Sequence, residues 1–113
     1  MSDDRKLLEA AAKAAGIELA SSPHEHGYSG VLMREWVGDR IYWSPLTDDG
    51  DAFRLVVKLG LDIRPNGDQY VEVDITNEDE PFGHLLAKEP GPDMLAATRR
   101  AIVRAAAAMG GKT

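Results

Sequence analysis

The chain contains no cysteine. Disulfides and thiolate chemistry are therefore excluded, and a reducing cytosol fits. No apolar run approaches the ~20 residues that a membrane-spanning helix needs. Positive charge is scarce: 13 Lys and Arg stand against 19 Asp and Glu, for a net charge of −6. The sequence pI is near 4.9. That balance argues against general affinity for nucleic-acid phosphate or anionic membrane. An acidic protein can still dock on a basic, nucleic-acid-binding partner. The start, Met1-Ser2-Asp3-Asp4, lacks the basic n-region of a secretory signal, so a cytoplasmic location is expected. Nucleophile-elbow and triad motifs are missing too.

The 113 residues are enough for one domain with a modest core. Apolar content of 43% and charged content of 28% suit a soluble globular chain. No repeat or long linker divides residues 1–113, so a single domain is expected.

The stretch from Trp43 to Gly60 carries the clearest structural signal. Pro45 pushes Ser44 toward an extended conformation and ends a strand that carries Trp43. Thr47 or Asp48 is the expected N-cap, with Asp51 three residues beyond Asp48. Asp48, Asp49 and Asp51 crowd the positive end of the helix dipole, each worth roughly 0.3–1 kcal/mol. Ala52, Leu55, Val56 and Leu59 fall at i, i+3, i+4 and i+7, one face of a helix. Phe53 and Val57 widen that stripe and imply contact with more than one element. Gly60 suits the left-handed position after the helix. The acidic run could also suggest a calcium loop, but the required ligand spacing is absent.

Upstream, a first helix opens at Ser2-Asp3-Asp4, carries Leu7, Leu8, Ala11, Ala14 and Ala15 as its stripe, and stops at Gly16. Ile17 is placed to pack back as a C-cap contact. Residues 21–30 read as a polar loop. Val31 to Val37 and Arg40 to Ser44 read as a hairpin turned at Gly38-Asp39. Downstream, Leu61 to Arg64 forms a short strand before the turn signal Pro65-Asn66-Gly67. Tyr70 to Thr76 alternates cleanly: Val71, Val73 and Ile75 face a core, while Tyr70, Glu72, Asp74 and Thr76 face water. Gly83 to Ala87 adds a last strand, and Lys88 to Pro92 reads as a loop. Asp93 opens a final helix lined by Leu95, Thr98, Ala101, Ile102, Ala105 and Met109, with a disordered tail over 110–113. The fold class is α/β in the α+β sense. A mostly antiparallel sheet of about four to five strands is flanked by about three helices.

Two segments resemble a known group. The block from Trp43 to Leu59 is similar to one that recurs in small bacteriophage and prophage proteins, where Asn commonly replaces Ser44. The segment Ala97 to Ala107 resembles their C-terminal helix. Together they resemble the phage ABA-sandwich domain group, over roughly the C-terminal two-thirds of the chain. The resemblance implies a phage or prophage origin and helices flanking a central sheet. It implies no reaction, no cofactor and no catalytic residue. Small accessory phage proteins often act by binding a host protein, in the host cytoplasm. An inhibitor of a bacterial defence system, of the anti-CRISPR kind, is the concrete form. Fold likeness alone does not fix that function.

Candidate sites are few. His24-Glu25-His26 offers two imidazoles without a third ligand nearby in sequence, so no metal centre is expected. Gly110-Gly111-Lys112-Thr113 resembles the end of a phosphate loop, but position 106 is alanine and no helix follows. Glu78, Asp79 and Glu80 have no apolar surroundings to perturb them and read as a solvated loop. The candidate partner-binding patch is Tyr70, Glu72 and Asp74 on the wet strand face, with Glu78, Asp79 and Glu80 beside it. It would suit a basic host protein, even a nucleic-acid-binding complex, by mimicking phosphate. A small-molecule or nucleotide-binding domain, with Trp36, Tyr42 or Trp43 at a pocket, is the first alternative. A metal-dependent hydrolase built on Asp74 or Glu78 is the second. The slim alanine faces of the first and third helices also suit a homodimer.

Overall fold

The computed structural model describes residues 2–17, 32–36, 39–76, 81 and 83–110. The loop at 21–30, the histidines at 24 and 26, the acidic residues 78–80 and residues 111–113 of the expected tail lie outside them, whereas Gly110, expected to begin that tail, is instead the buried last residue of a helix. The order is α1 (Ser2–Ala15), β1 (Leu32–Trp36), β2 (Asp39–Trp43), α2 (Asp49–Leu59), β3 (Leu61–Asn66), β4 (Tyr70–Ile75), β5 (His84–Pro90) and α3 (Met94–Gly110). The class is α+β, as expected. The strands do not form one sheet of four or five, however. β3, β4 and β5 form a three-stranded antiparallel sheet with β4 central, while β1 and β2 pair only with each other.

The signals around α2 act as the sequence predicts. Asp48 is the N-cap: its carboxylate accepts the Asp51 backbone N–H at 2.8 Å. Asp51 in turn accepts the Ser44 backbone N–H at 2.9 Å and Arg54 Nη1 at 3.0 Å. Gly60 sits at φ 68°, where a β-carbon would be strained, and its N–H closes on Val56 O. At the end of α1, Gly16 N–H reaches Lys13 O and Ile17 N–H reaches Ala12 O. This is a Schellman pair, and Ile17 packs back onto the core.

The packing differs from the sequence reading. Ala52 and Leu55 are buried, and α2 packs on α3, α1 and β3. Phe53 and Val57 do not widen the buried stripe: they are 65% and 67% exposed. The element that covers Val71 and Val73 is α3, which touches all three strands of the sheet and both other helices. Its stripe is wider than one face. Ala97, Ala101, Ile102, Val103, Ala105, Ala106, Ala107 and Gly110 are all buried, whereas Leu95 is 67% exposed. A helix apolar nearly all round belongs inside a fold.

Alanine makes this position possible. α1 lies against α3, and a β-carbon built on Gly110 would stand 2.1 Å from Ala10 O. The alanine faces expected to serve a homodimer therefore pack against each other within one chain. Three arginines staple α3 to three neighbours. Arg99 Nε donates to Leu46 O at 2.9 Å and Nη1 to Asp49 at 2.6 Å. Arg100 bridges to Asp4 on α1 at 3.3 Å, and Arg104 bonds Glu89 on β5. α3 covers the sheet, α2 touches it at β3, and α1 packs on α3 and α2 rather than on the strands. Among the described residues no helix covers the other face of β3–β4–β5, the open face.

Candidate functional site

Register fixes what the open face presents. Residues paired across antiparallel strands point to the same side. Leu61, Ile63 and Pro65 pair with Ile75, Val73 and Val71, and Ala87 with Val73, on the side facing α3. The open side therefore carries three rows. Asn66, Tyr70 and Pro90 form one. Arg64, Glu72 and Lys88 form the next. Asp62, Asp74 and Leu85 form the third.

The first two rows are charge-compensated. Lys88 Nζ lies 4.2 Å from the centroid of the Tyr70 ring, a cation–π contact. Glu72 is half-buried and stands between Arg64 on one strand and Lys88 on the other. These residues do not form the bare acidic surface that the sequence suggests.

The third row is different. Asp74 is not wet: it is only 7% exposed. Its partner across β3 is Asp62, so two carboxylates are set directly opposite each other, an unfavourable pairing. Asp74 Oδ2 meets Arg64 Nε at 3.4 Å, and that guanidinium side chain is 58% exposed. Asp74 Oδ1 is buried and has no hydrogen-bond donor among the described residues. Thr76 Oγ1 donates to Asp62 Oδ2 at 2.9 Å. A β-carbon at Gly83 would lie 3.4 Å from Asp74 Oδ2, 3.6 Å from Arg64 Nη2 and 3.7 Å from Thr76 Oγ1. The Gly83 backbone thus roofs the cluster. On the other flank, the β4–β5 register slips between Val73 and Asp74, leaving Leu86 as the extra residue of a bulge. Bulges re-aim side chains and recur beside functional sites.

Buried polar atoms are paired in native proteins, so each orphan calls for an explanation. An orphan carboxylate oxygen beside a second carboxylate holds two stability costs at one point. The sequence-predicted Tyr70, Glu72 and Asp74 do share one face, while Glu78, Asp79 and Glu80 lie outside the described residues. Asp62, Arg64, Thr76 and Gly83 were missed. The signal for Asp62 was present: with Asn66 paired to Tyr70 across the turn, counting back four residues sets Asp62 against Asp74.

A second feature lies between α1 and α2. A cleft of about 460 Å³ is bordered by Ile17, Arg54 and Lys58, with Ala15, Trp43 and Leu55 almost wholly buried behind them. Trp43 is one of the aromatics expected at a pocket. For metal chemistry, no group of three His, Asp or Glu among the described residues could hold an ion. No described helix is long and apolar enough to cross a membrane. No family model, no curated protein and no solved structure matches this chain.

Proposed function

We propose that the protein is a non-enzymatic binding protein that docks on a partner protein through the open face of its sheet. The observation that carries this reading is the Asp62–Asp74 pair, with one buried carboxylate oxygen lacking a donor among the described residues. A partner's arginine or lysine supplies what the cluster lacks. Arg64 approaches Asp74 at 3.4 Å from a largely exposed position, so an incoming cation can displace it. Tyr70 capped by Lys88, half-buried Glu72 and half-exposed Leu85 give the surrounding face the mixed aromatic, charged and apolar character of protein interfaces. Glu78, Asp79 and Glu80 follow in sequence and add negative charge that steers a basic partner. The resemblance to phage proteins makes that partner a host protein. A basic, nucleic-acid-binding defence complex has the matching chemistry.

The test is capture from bacterial host lysate, followed by titration of the purified partner. Neutralising both carboxylates, Asp62→Asn with Asp74→Asn, should weaken the complex at least tenfold and flatten its salt dependence. Glu9→Gln, on the exposed side of α1, should leave both unchanged. Equal affinity of the double variant and the native protein at low and high salt would refute the reading.

A further inference from the structure

The middle row of the open face is not closed on itself. Arg64 and Lys88 each pair across the sheet with Glu72, yet neither makes its contact there. Arg64 leans into the third row, with Nε 3.4 Å from Asp74 Oδ2. Lys88 leans the other way, onto the Tyr70 ring. Glu72 is left half-buried, with no ion pair or hydrogen bond among the described residues. Asp62, Glu72 and Asp74 thus share Arg64 and Lys88, and these three rows are one positive charge short. We infer that the missing charge is specifically an arginine guanidinium of the docking partner, and that Arg64 is the chain's own substitute for it, moving to Glu72 when the partner arrives. This rests on the docking reading above and adds to it which cation the site selects and which residue competes for it.

Arg64 has two acceptors in reach. Glu72 lies directly opposite it, and Asp74 one row away. Moving between them exchanges one carboxylate for another and gives Glu72 the partner it lacks, so Arg64 is displaced at little cost. Its withdrawal uncovers Asp74 Oδ2, beside the exposed Asp62. Each carboxylate of the opposed pair keeps one oxygen, Oδ1, without a donor among the described residues. Rotation of an aspartate about its last bond is soft and two-fold, so either Asp74 oxygen can turn to the opening. Directly opposed β-carbons stand about 5 Å apart. A planar guanidinium with five donors can bond both carboxylates at once. An ammonium group is compact and more strongly hydrated, so lysine gives up more water for fewer fixed contacts.

The probes are N-acetyl-arginine amide and N-acetyl-lysine amide, titrated into isotope-labelled protein with the Gly83 backbone amide resonance as reporter. The arginine probe should shift Gly83 saturably and bind at least threefold more tightly than the lysine probe. Arg64→Gln and Lys88→Gln each remove one positive charge from the same face. Only Arg64→Gln removes the competitor, so it should tighten the arginine probe at least threefold more than Lys88→Gln does. Glu72→Gln should weaken that probe more in the native protein than in the Arg64→Gln protein, where no arginine needs a new acceptor. The Arg64 side chain is 58% exposed, and circular dichroism checks that its variant folds. Absence of a saturable shift, equal binding of the two probes, or an Arg64→Gln protein no tighter than Lys88→Gln would each overturn the inference. These titrations need no captured partner. A partner that depends on Asp62 and Asp74, found together with equal binding of the two probes, would keep the docking reading and remove this one.

Discussion

Gly110→Ala separates two opposed forces by the sign of their sum. Glycine to alanine in a helix normally stabilises, by up to about 1 kcal/mol in an interior position and less at an end. Here the added carbon would meet Ala10 O at 2.1 Å, Ala10 C at 3.0 Å and Ala14 Cβ at 3.3 Å. The first two are backbone atoms of α1, so no side-chain rotation relieves the clash. The helices must part, over a contact built from Leu8, Ala11, Ala12 and Ala15 against the alanines of α3. Forcing a methyl into a packed core costs roughly 1–3 kcal/mol. A net loss of about 1–2 kcal/mol follows, or about 4–8 °C in Tm at about 4 °C per kcal/mol for a domain of this size. Thermal and urea unfolding followed by circular dichroism measure it, with an unchanged urea slope confirming a stability effect. A Tm at or above the native value would show that helix propensity wins. The close α1–α3 approach would then be wrong.

Three further outcomes follow from the contacts around α3 and α2. Asp48→Ala removes the carboxylate that caps α2 and should cost about 1 kcal/mol in urea unfolding, with Asp48→Asn nearly native. Arg99→Ala removes a charged donor to the Leu46 carbonyl and should cost about 1–2 kcal/mol. Asp49→Ala, which loses only the 70% exposed partner of the same arginine, should cost under about 0.5 kcal/mol; equal losses for the two would contradict the assignment.

The local features were legible in the sequence because their causes are local. The Asp48 cap, the Gly60 stop, the Gly16–Ile17 terminus and the alternation of β4 all follow from residues within one turn or one strand. What failed was partnership. The single stripe assigned to the last helix left out Ala97, Val103, Ala106 and Ala107. Counting them would have shown a helix apolar nearly all round and therefore central. Pro90 and Gly91 suggested a loop, yet β5 runs to Pro90 because an edge strand tolerates proline. Arg99, Arg100 and Arg104 sit close in sequence but pair with Asp49, Asp4 and Glu89 on three other elements. Sequence spacing carries no information about such distant pairs. Alternation likewise placed Asp74 on the open side correctly but could not show that a bulge, Arg64 and Gly83 enclose it.

Asp74→Val tests the central claim most directly, because stability and binding should move in opposite directions. Valine removes a buried acceptor without a donor among the described residues, worth about 1–3 kcal/mol, and an opposed like-charge pair, worth about 0.2–1 kcal/mol. It forfeits an ion pair to a largely exposed arginine, worth at most about 1 kcal/mol. The variant should unfold at higher urea, by about 1–2 kcal/mol, while its affinity for the captured partner falls at least tenfold. A variant that is less stable, or that binds the partner as tightly as the native protein, would contradict the assignment of this carboxylate to a docking site.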